Sequence, residues 1–125
     1  MQWQIEPGGS RGWWRVTTSG PFSPQEHVQM VREITEHPEW LPGADVLFDH
    51  RDLELGGATF ETMFRAVQTH RAFEERIGDG RAAILVGTRA ALGSARQFEL
   101  LLGEGTATRF NVLLDEAEAI RWLED

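Results

Sequence analysis

The chain has 125 residues, 41% of them hydrophobic, which is enough to form the core of one ordinary domain without stabilising disulfides or metals. Twenty acidic residues oppose twelve basic ones, all arginine, and the net charge of −8 argues against nucleic acid or an anionic membrane as a partner bound by charge. The chain has no cysteine and no lysine, which excludes disulfides, thiolate metal sites and lysine-based catalysis.

The N-terminal residues and the lengths of the apolar runs indicate the cellular compartment of the protein. The first residues, MQWQIEPGG, lack the basic start and apolar segment of a secretory signal. No apolar run approaches the roughly 18 residues that a membrane-crossing helix needs. Because the absence of cysteine also fits a reducing compartment, the sequence predicts a cytoplasmic protein of bacterial type.

The first part of the chain predicts a hairpin and a helix. Residues 2–5 alternate polar and apolar side chains, a turn rich in glycine follows, and residues 13–18 are aromatic and β-branched. Ser23 then begins a capping pattern for a helix. This helix is expected to end near His37, because Pro38 disfavours helical backbone at the residue before it.

The remainder alternates strands with helices. Apolar runs predict three further strands, at residues 45–49, 82–86 and 110–114. Each of the three helices that follow them begins at a residue that favours the N-cap position: Thr59, Thr88 and Asp115. The helix that begins at Thr59 is expected to be the longest and to end near Ile77, before a glycine turn.

This order, β-β-α-β-α-β-α-β-α, predicts a single α/β domain over residues 1–125. Strands joined through helices of ten or more residues pair in parallel, with right-handed connections. The first strand, joined to the second by a short turn, is expected to be antiparallel at an edge. The sequence therefore predicts a mixed, mostly parallel sheet of about five strands with four helices.

Two of the five tryptophans, Trp13 and Trp14, are adjacent on the second predicted strand. Neighbouring residues of a strand face opposite sides of the sheet, so one layer of helices buries only one of the two rings. A monomer seldom leaves a large aromatic surface exposed to solvent. We therefore expect a homodimer, unless Trp40 and the loops shield the second ring.

The third strand ends in charges, and this marks the predicted working edge of the sheet. Ligands of open α/β sheets bind beyond the carboxyl ends of the strands, where we place Asp49, His50, Arg51 and Asp52. A histidine that is oriented by a neighbouring carboxylate can act as a general base. No nucleophile lies nearby in the sequence, however, and only Thr59, Thr88 or Ser94 could approach from other loops. A charged strand end is more often a solvated rim or an ion pair. The chain is therefore predicted not to be an enzyme.

The sequence carries no recognisable metal or cofactor pattern. The four histidines fall on different predicted elements, without the spacing of a metal site. The loop after the fourth strand, VGTRAALGSAR, lacks the glycine patterns of nucleotide-binding loops, and Thr88 within it is expected to cap a helix. No metal and no cofactor are predicted.

Three segments of the chain resemble one known family. VLFD at the end of the third strand, AILVG leading into a helix, and the closing FNVLLDEAEAIRWL are similar to the SpoIIAA-like branch of the STAS superfamily, as is the order of elements over essentially the whole chain. The resemblance implies a non-enzymatic regulatory binding module. The anti-sigma factor antagonists of this superfamily bind a protein kinase and are switched by phosphorylation of a serine at the start of the helix after the third strand.

The resemblance places that switch position at Thr59. The serine motif of the family is absent here, because Gly56, Gly57 and Ala58 precede Thr59. Thr59 still offers a hydroxyl at a helix N-terminus, where a phosphate is tolerated, although threonine at such a position is more often simply an N-cap. A protein partner is accordingly expected to bind at residues 49–52 and Thr59.

An apolar ligand is the alternative to a protein partner. The fold group is similar in architecture to the CRAL-TRIO lipid-binding domains, which implies a lipid or another apolar molecule, or association with membranes. Aromatic and methionine side chains on two neighbouring helices could line a cleft, although at helical spacing they also suit a plain core. The candidate cleft residues are Phe60, Met63, Phe64, Val67, Leu92, Phe98 and Leu102.

Overall fold

The computed structural model describes all 125 residues and contains one five-stranded sheet in the order β1-β2-β3-β4-β5. β1 pairs antiparallel with β2 at one edge, and all other neighbours are parallel. The predicted mixed sheet with an antiparallel edge strand is therefore confirmed. The strands are β1 (Gln2–Glu6), β2 (Trp13–Pro21), β3 (Asp45–Glu54), β4 (Arg81–Leu85) and β5 (Arg109–Leu113).

Five α-helices accompany the sheet, one more than predicted. They are α1 (Pro24–Thr35), α2 (Phe60–Ala72), α3 (Glu74–Ile77), α4 (Arg89–Leu102) and α5 (Glu116–Glu124). Two short 3-10 turns lie at Gly9–Arg11 and Gly103–Gly105.

The expected long helix ending near Ile77 is interrupted at Phe73, where φ is −106° and ψ is 9°. The single turn of α3 then directs its last carbonyl groups toward the loop before β3. Trp40 Nε1 donates to the carbonyl of Arg76 at 2.8 Å, and the amide of Gly43 donates to the carbonyl of Ile77 at 2.9 Å. The break thus gives the helix C-terminus hydrogen-bond partners outside the helix.

The four predicted N-caps are in place. In each, the side-chain oxygen accepts from a backbone amide three residues later, at 3.0 to 3.3 Å. These bonds satisfy amides that the first helical turn leaves without a partner, and so they define where the helices begin. The capping residues are Ser23, Thr59, Thr88 and Asp115.

Helices cover both faces of the sheet. α2 packs between α1 and α4 on one face, as expected for right-handed connections between successive parallel strands. α5 follows the last strand and packs against β3, β4 and β5 on the opposite face. None of these helices combines the length and the apolar character that crossing a membrane requires.

Both adjacent tryptophans are buried, Trp13 at 6% and Trp14 at 5% exposure. Trp14 packs against Met30 of α1, whereas Trp13 packs against Leu123 of α5 and donates from Nε1 to Glu124 Oε2 at 3.0 Å. The bare aromatic face expected from the sequence is absent, because α5 covers it. The homodimer stays a prediction, and an exposed aromatic face no longer supports it.

The structure corrects the predicted end of the third strand. β3 continues through the charged residues to Glu54, so residues 49–52 lie within the strand and not in a loop beyond it. The strand is longer because β2 continues to Pro21 and pairs with it throughout. Thr17 pairs with Asp49 and Ser19 with Asp52, so β3 contains one extra residue, a β-bulge, at this point.

Gly80 and Gly93 provide a matched test of how closely the residue before β4 approaches the residues before β3. A Cβ on Gly80 would lie 2.5 Å from the carbonyl oxygens of Gly43 and Ala44, whereas Gly93, within α4, has open space around it. We expect Gly80→Ala to lower the free energy of unfolding by about 1–3 kcal/mol, because the backbone has to move. Gly93→Ala should raise it by about 0.5–1 kcal/mol, because alanine favours the helix. Urea denaturation measures both changes, and an equal loss of stability in the two variants would contradict the close approach at Gly80.

Candidate functional site

An apolar cavity of about 90 Å³ lies between the sheet and the layer formed by α1, α2 and α4. Twelve of its 18 lining residues are hydrophobic. We call this the main cavity. Its walls include Met30 and Ile34 of α1, Phe48 of β3, Phe98 of α4 and Phe110 of β5.

A second space of about 70 Å³, which we call the side cavity, lies under the start of α2. Leu53 of β3 and Met63 of α2 belong to its walls. The two cavities have four lining residues in common, and this shared wall is defined here as the junction: His27, His50, Ile84 and Phe98.

Small side chains where the layers meet explain the empty space. Ala82 of β4 lines the main cavity, and Ala66 of α2 and Ala95 of α4 line the side cavity. All three are at most 7% exposed. Alanine fills little of the distance between a helix and a sheet, and a packed interior closes only partly around such a gap.

His27 of α1 carries an unusual polar atom. Its Nδ1 is buried and has no hydrogen-bond partner, the one side-chain atom of the protein in this condition. Burial, and secondarily the neighbouring His70, lower the pKa of His27 to about 4. The imidazole is therefore neutral at pH 7, and its buried Nδ1 is an unsatisfied hydrogen-bonding atom.

His50 of β3 is held by a threonine of β2. Its Nδ1 lies 2.6 Å from Thr18 Oγ1, which is also 3.3 Å from the carbonyl oxygen of Asp49. Burial is the main cause that lowers the pKa of His50 to about 4, and His27 adds to it. The β-bulge beside Asp49 brings Leu53, which lines the side cavity, to the same face of the sheet as His50.

His70 of α2 anchors the opposite end of the main cavity. Its Nε2 lies 2.9 Å from Thr106 Oγ1 and 3.0 Å from Glu74 Oε2. The Glu74 carboxylate also accepts from Thr106 Oγ1 and from the amide of Ala107. Burial lowers the pKa of His70, while Glu74 opposes that shift. This network attaches α2 and α3 to the loop before β5.

Asp49 points away from the cavity, toward α5. It accepts from Arg51 Nε at 2.9 Å and from Arg15 Nη2 at 2.8 Å, and Arg15 also pairs with Glu116 Oε1 at 2.7 Å. These hydrogen bonds, that from Arg51 above all, hold the pKa of Asp49 at about 2. The cluster joins β2, β3 and the first turn of α5, and leaves Asp49 no free oxygen lone pair facing a ligand.

The predicted working edge is therefore divided between two faces of the sheet. Asp49 and Arg51 belong to the ion cluster beside α5, whereas His50 lines both cavities. Asp52 is exposed at the bulge. The four residues do not form one binding edge, because successive residues of a strand point in opposite directions.

The predicted apolar cleft residues also separate. Met63 and Phe98 line cavities, while Phe60 and Phe64 are 60% and 40% exposed and stack on each other at 6.2 Å. The cavity lies beneath the helices and not between them. The remaining three line neither cavity: Val67 and Leu102 are buried, and Leu92 is half-buried.

Sequence reasoning missed His27, although a signal for it exists. His27, Met30, Val31 and Ile34 recur at the spacing of one helix face, which places the histidine on the buried side of α1. Thr59 is an exposed N-cap that accepts from the amide of Thr62 at 3.2 Å. No group of three histidine or acidic side chains has the geometry of a metal site.

The buried histidines predict a loss of stability in mild acid. Unfolded histidine binds a proton below about pH 6.5, whereas His27 and His50 do so only near pH 4. Between these values the unfolded state binds more protons, so the free energy of unfolding falls as the pH falls. Asp49 adds its own loss only below about pH 4, where unfolded aspartate takes up protons.

Replacing one histidine measures this effect. We expect His27→Leu to reduce the difference in unfolding free energy between pH 7.5 and pH 5 by about 1–2 kcal/mol. His37→Leu, at a histidine outside both cavities, is the control and should leave most of the difference in place. Urea denaturation at the two pH values gives these quantities. The same pH dependence in wild type and His27→Leu would contradict a buried neutral imidazole.

No protein-family model and no curated protein matches the chain. Among solved structures, it is similar to an uncharacterized protein of the DUF3478 family with a SpoIIAA-like fold from Shewanella loihica PV-4. The two are 16% identical, and the match covers 98% of this chain and 92% of that chain with a TM-score of 0.61. Similarity at this level of identity shows the fold alone. The chain has a SpoIIAA-like α/β fold, as the sequence resemblance predicted.

Proposed function

We propose that this chain is a non-enzymatic binding protein that takes up a small apolar molecule in the main and side cavities. The observation that carries the proposal is the cavity itself. A module that only binds a partner through its surface needs a closed core, whereas a ligand-binding protein needs an apolar cleft or cavity with a few polar groups. The main cavity provides such a space beside His27 and His50.

The size of the space sets the size of the ligand. An apolar cavity of about 150 Å³ is known to bind benzene. The main cavity, of about 90 Å³, is smaller than that, so a ligand of this size also has to extend across the junction into the side cavity of about 70 Å³. We therefore expect a molecule with a single ring, or a short chain of similar volume.

Two observations favour binding over catalysis. The carboxylate of Asp49, the best candidate for orienting a base, is occupied by Arg15 and Arg51 on the face away from the cavity. The Thr18 hydroxyl, which is the nearest nucleophile to His50, is only 1% exposed and lies in the hydrogen bonds that connect β2 with β3. Neither group is available to a bound molecule.

Filling the cavity should abolish binding. We expect benzene to raise the melting temperature of the wild type, because a ligand that binds only the folded state stabilises it. Ala82→Leu extends a side chain into the main cavity and should remove the shift, while Ala90→Leu, at an exposed position of α4, should keep it. Circular dichroism is the check that both variants fold. A benzene shift of equal size in folded Ala82→Leu would contradict binding in this cavity.

A protein partner is the second candidate function, and a different observation supports it. Phe60 and Phe64 are exposed, stack on each other, and follow directly after the predicted switch residue Thr59. Exposed aromatic pairs are enriched where proteins bind one another. We propose the start of α2 as the docking surface for such a partner, with a second copy of this chain as the simplest case.

Sedimentation velocity distinguishes these cases. If the aromatic pair mediates a homodimer, Phe60→Ser/Phe64→Ser should sediment as a monomer, whereas Leu100→Ser, which replaces a more exposed apolar residue of α4, should not. If a separate protein binds there, Thr59→Asp and Thr59→Ala should change its affinity in opposite directions, because only aspartate mimics a phosphate charge. A monomer whose pull-down yield is unchanged in all these variants would rule out docking at α2.

A further inference from the structure

We infer that the ligand is uncharged and carries one hydroxyl group on an apolar ring, and that this hydroxyl binds the imidazoles of His27 and His50 at the junction. The inference rests on the proposed function and adds the chemical class of the ligand. Three features of the cavity walls support it: the position of the polar atoms, the absence of a free charge, and the dual hydrogen-bonding capacity of neutral histidine.

Two histidines lie where the cavities meet. His27 and His50 are the two polar residues of the junction, and we place the hydroxyl of the ligand between them. The Nδ1 atom of His27 has no partner in the protein. His50 uses Nδ1 to bond Thr18, which leaves Nε2 for a ligand. A buried polar atom without a partner is unfavourable, and a ligand that supplies one gains affinity and specificity.

The walls contain no free charge that could neutralise an ionic ligand. Arg81 is the one basic residue besides the histidines among the lining residues, and its Nη1 donates to the carbonyl oxygens of Trp122 and Asp125 on the other side of the sheet. Burial keeps both junction histidines neutral at pH 7. A carboxylate or an ammonium group would therefore lose its hydration without gaining an opposite charge.

A hydroxyl fits the junction better than a carbonyl or an ether. Neutral imidazole has one nitrogen that donates and one that accepts, and the tautomer decides which is which. The Thr18 hydroxyl can donate either to His50 Nδ1 or to the Asp49 carbonyl, so both tautomers of His50 are compatible with its surroundings. A hydroxyl both donates and accepts, and it can pair with either tautomer. A carbonyl oxygen only accepts, so it pairs only with the tautomer that directs an N–H group toward it.

Toluene and phenol test the inference, since the two have similar size and differ in the hydroxyl. Isothermal titration calorimetry at pH 7.5 gives the ratio of the toluene Kd to the phenol Kd. We expect this ratio to fall about tenfold in His27→Phe, in His50→Phe, or in both. The ratio should be unchanged in His37→Phe, because His37 lines neither cavity. Benzoate should not bind any of these proteins.

Toluene also serves as the control for folding, because it needs the cavity but not the histidines. Variants that still bind toluene have kept the cavity. On the unaltered protein, ¹⁵N NMR of the imidazole groups should show shifts at His27 or His50 on addition of phenol and smaller ones on addition of toluene.

Each contradicting outcome has a distinct meaning. Toluene binding with an unchanged ratio in both histidine variants overturns the hydroxyl inference and leaves the proposed function standing. Binding of benzoate to any of these proteins overturns the inference that the ligand is uncharged. Failure of both toluene and phenol to bind the wild type overturns the proposed function together with the inference.

Discussion

The alternation of side chains along β3 determines what each face of the sheet can do. Asp49 turns toward α5, where Arg15, Arg51 and Glu116 complete an ion cluster that attaches the last helix to the sheet. The next residue, His50, turns toward α1 and α2 and lines both cavities. Removing one arginine of this cluster leaves Asp49, its least exposed member, with fewer partners for its charge, which lowers the stability of the fold. Neighbouring residues of β3 therefore serve opposite faces of the sheet. Asp49 attaches α5 to one face, and His50 provides a polar group to the cavities on the other.

The cavity follows from the same architecture. Right-handed connections bring α1, α2 and α4 to one face, and alanines where these layers meet the sheet keep helices and strands from closing the space between them. Hydrogen bonds of His70 and Glu74 to Thr106 join the helical layer to the far edge of the sheet. These hydrogen bonds hold one end of the main cavity in place, so a ligand can enter a space that already exists and less affinity is lost to ordering the site.

Much of the fold was predictable because local signals mark nearly every element. Ser23, Thr59, Thr88 and Asp115 begin helices as their residue types predict. The extension of β3 was not predictable, because its charged residues are accommodated by Arg15 and Glu116, which are distant in sequence. The same holds for the site. Helical spacing placed Met63 and Phe98 on buried faces, but only the packed structure shows which alanines lie opposite each other and that His27 and His50 share a wall.

A crystal structure under xenon pressure would show whether the main cavity is open, because xenon enters apolar cavities without needing a specific polar contact. We expect a xenon atom in the main cavity, between Met30, Ile84 and Phe98, with little change in the surrounding backbone. Absence of xenon from this space, with the side chains of α1 and α4 closed onto the sheet, would contradict the claim that the protein holds an open binding cavity.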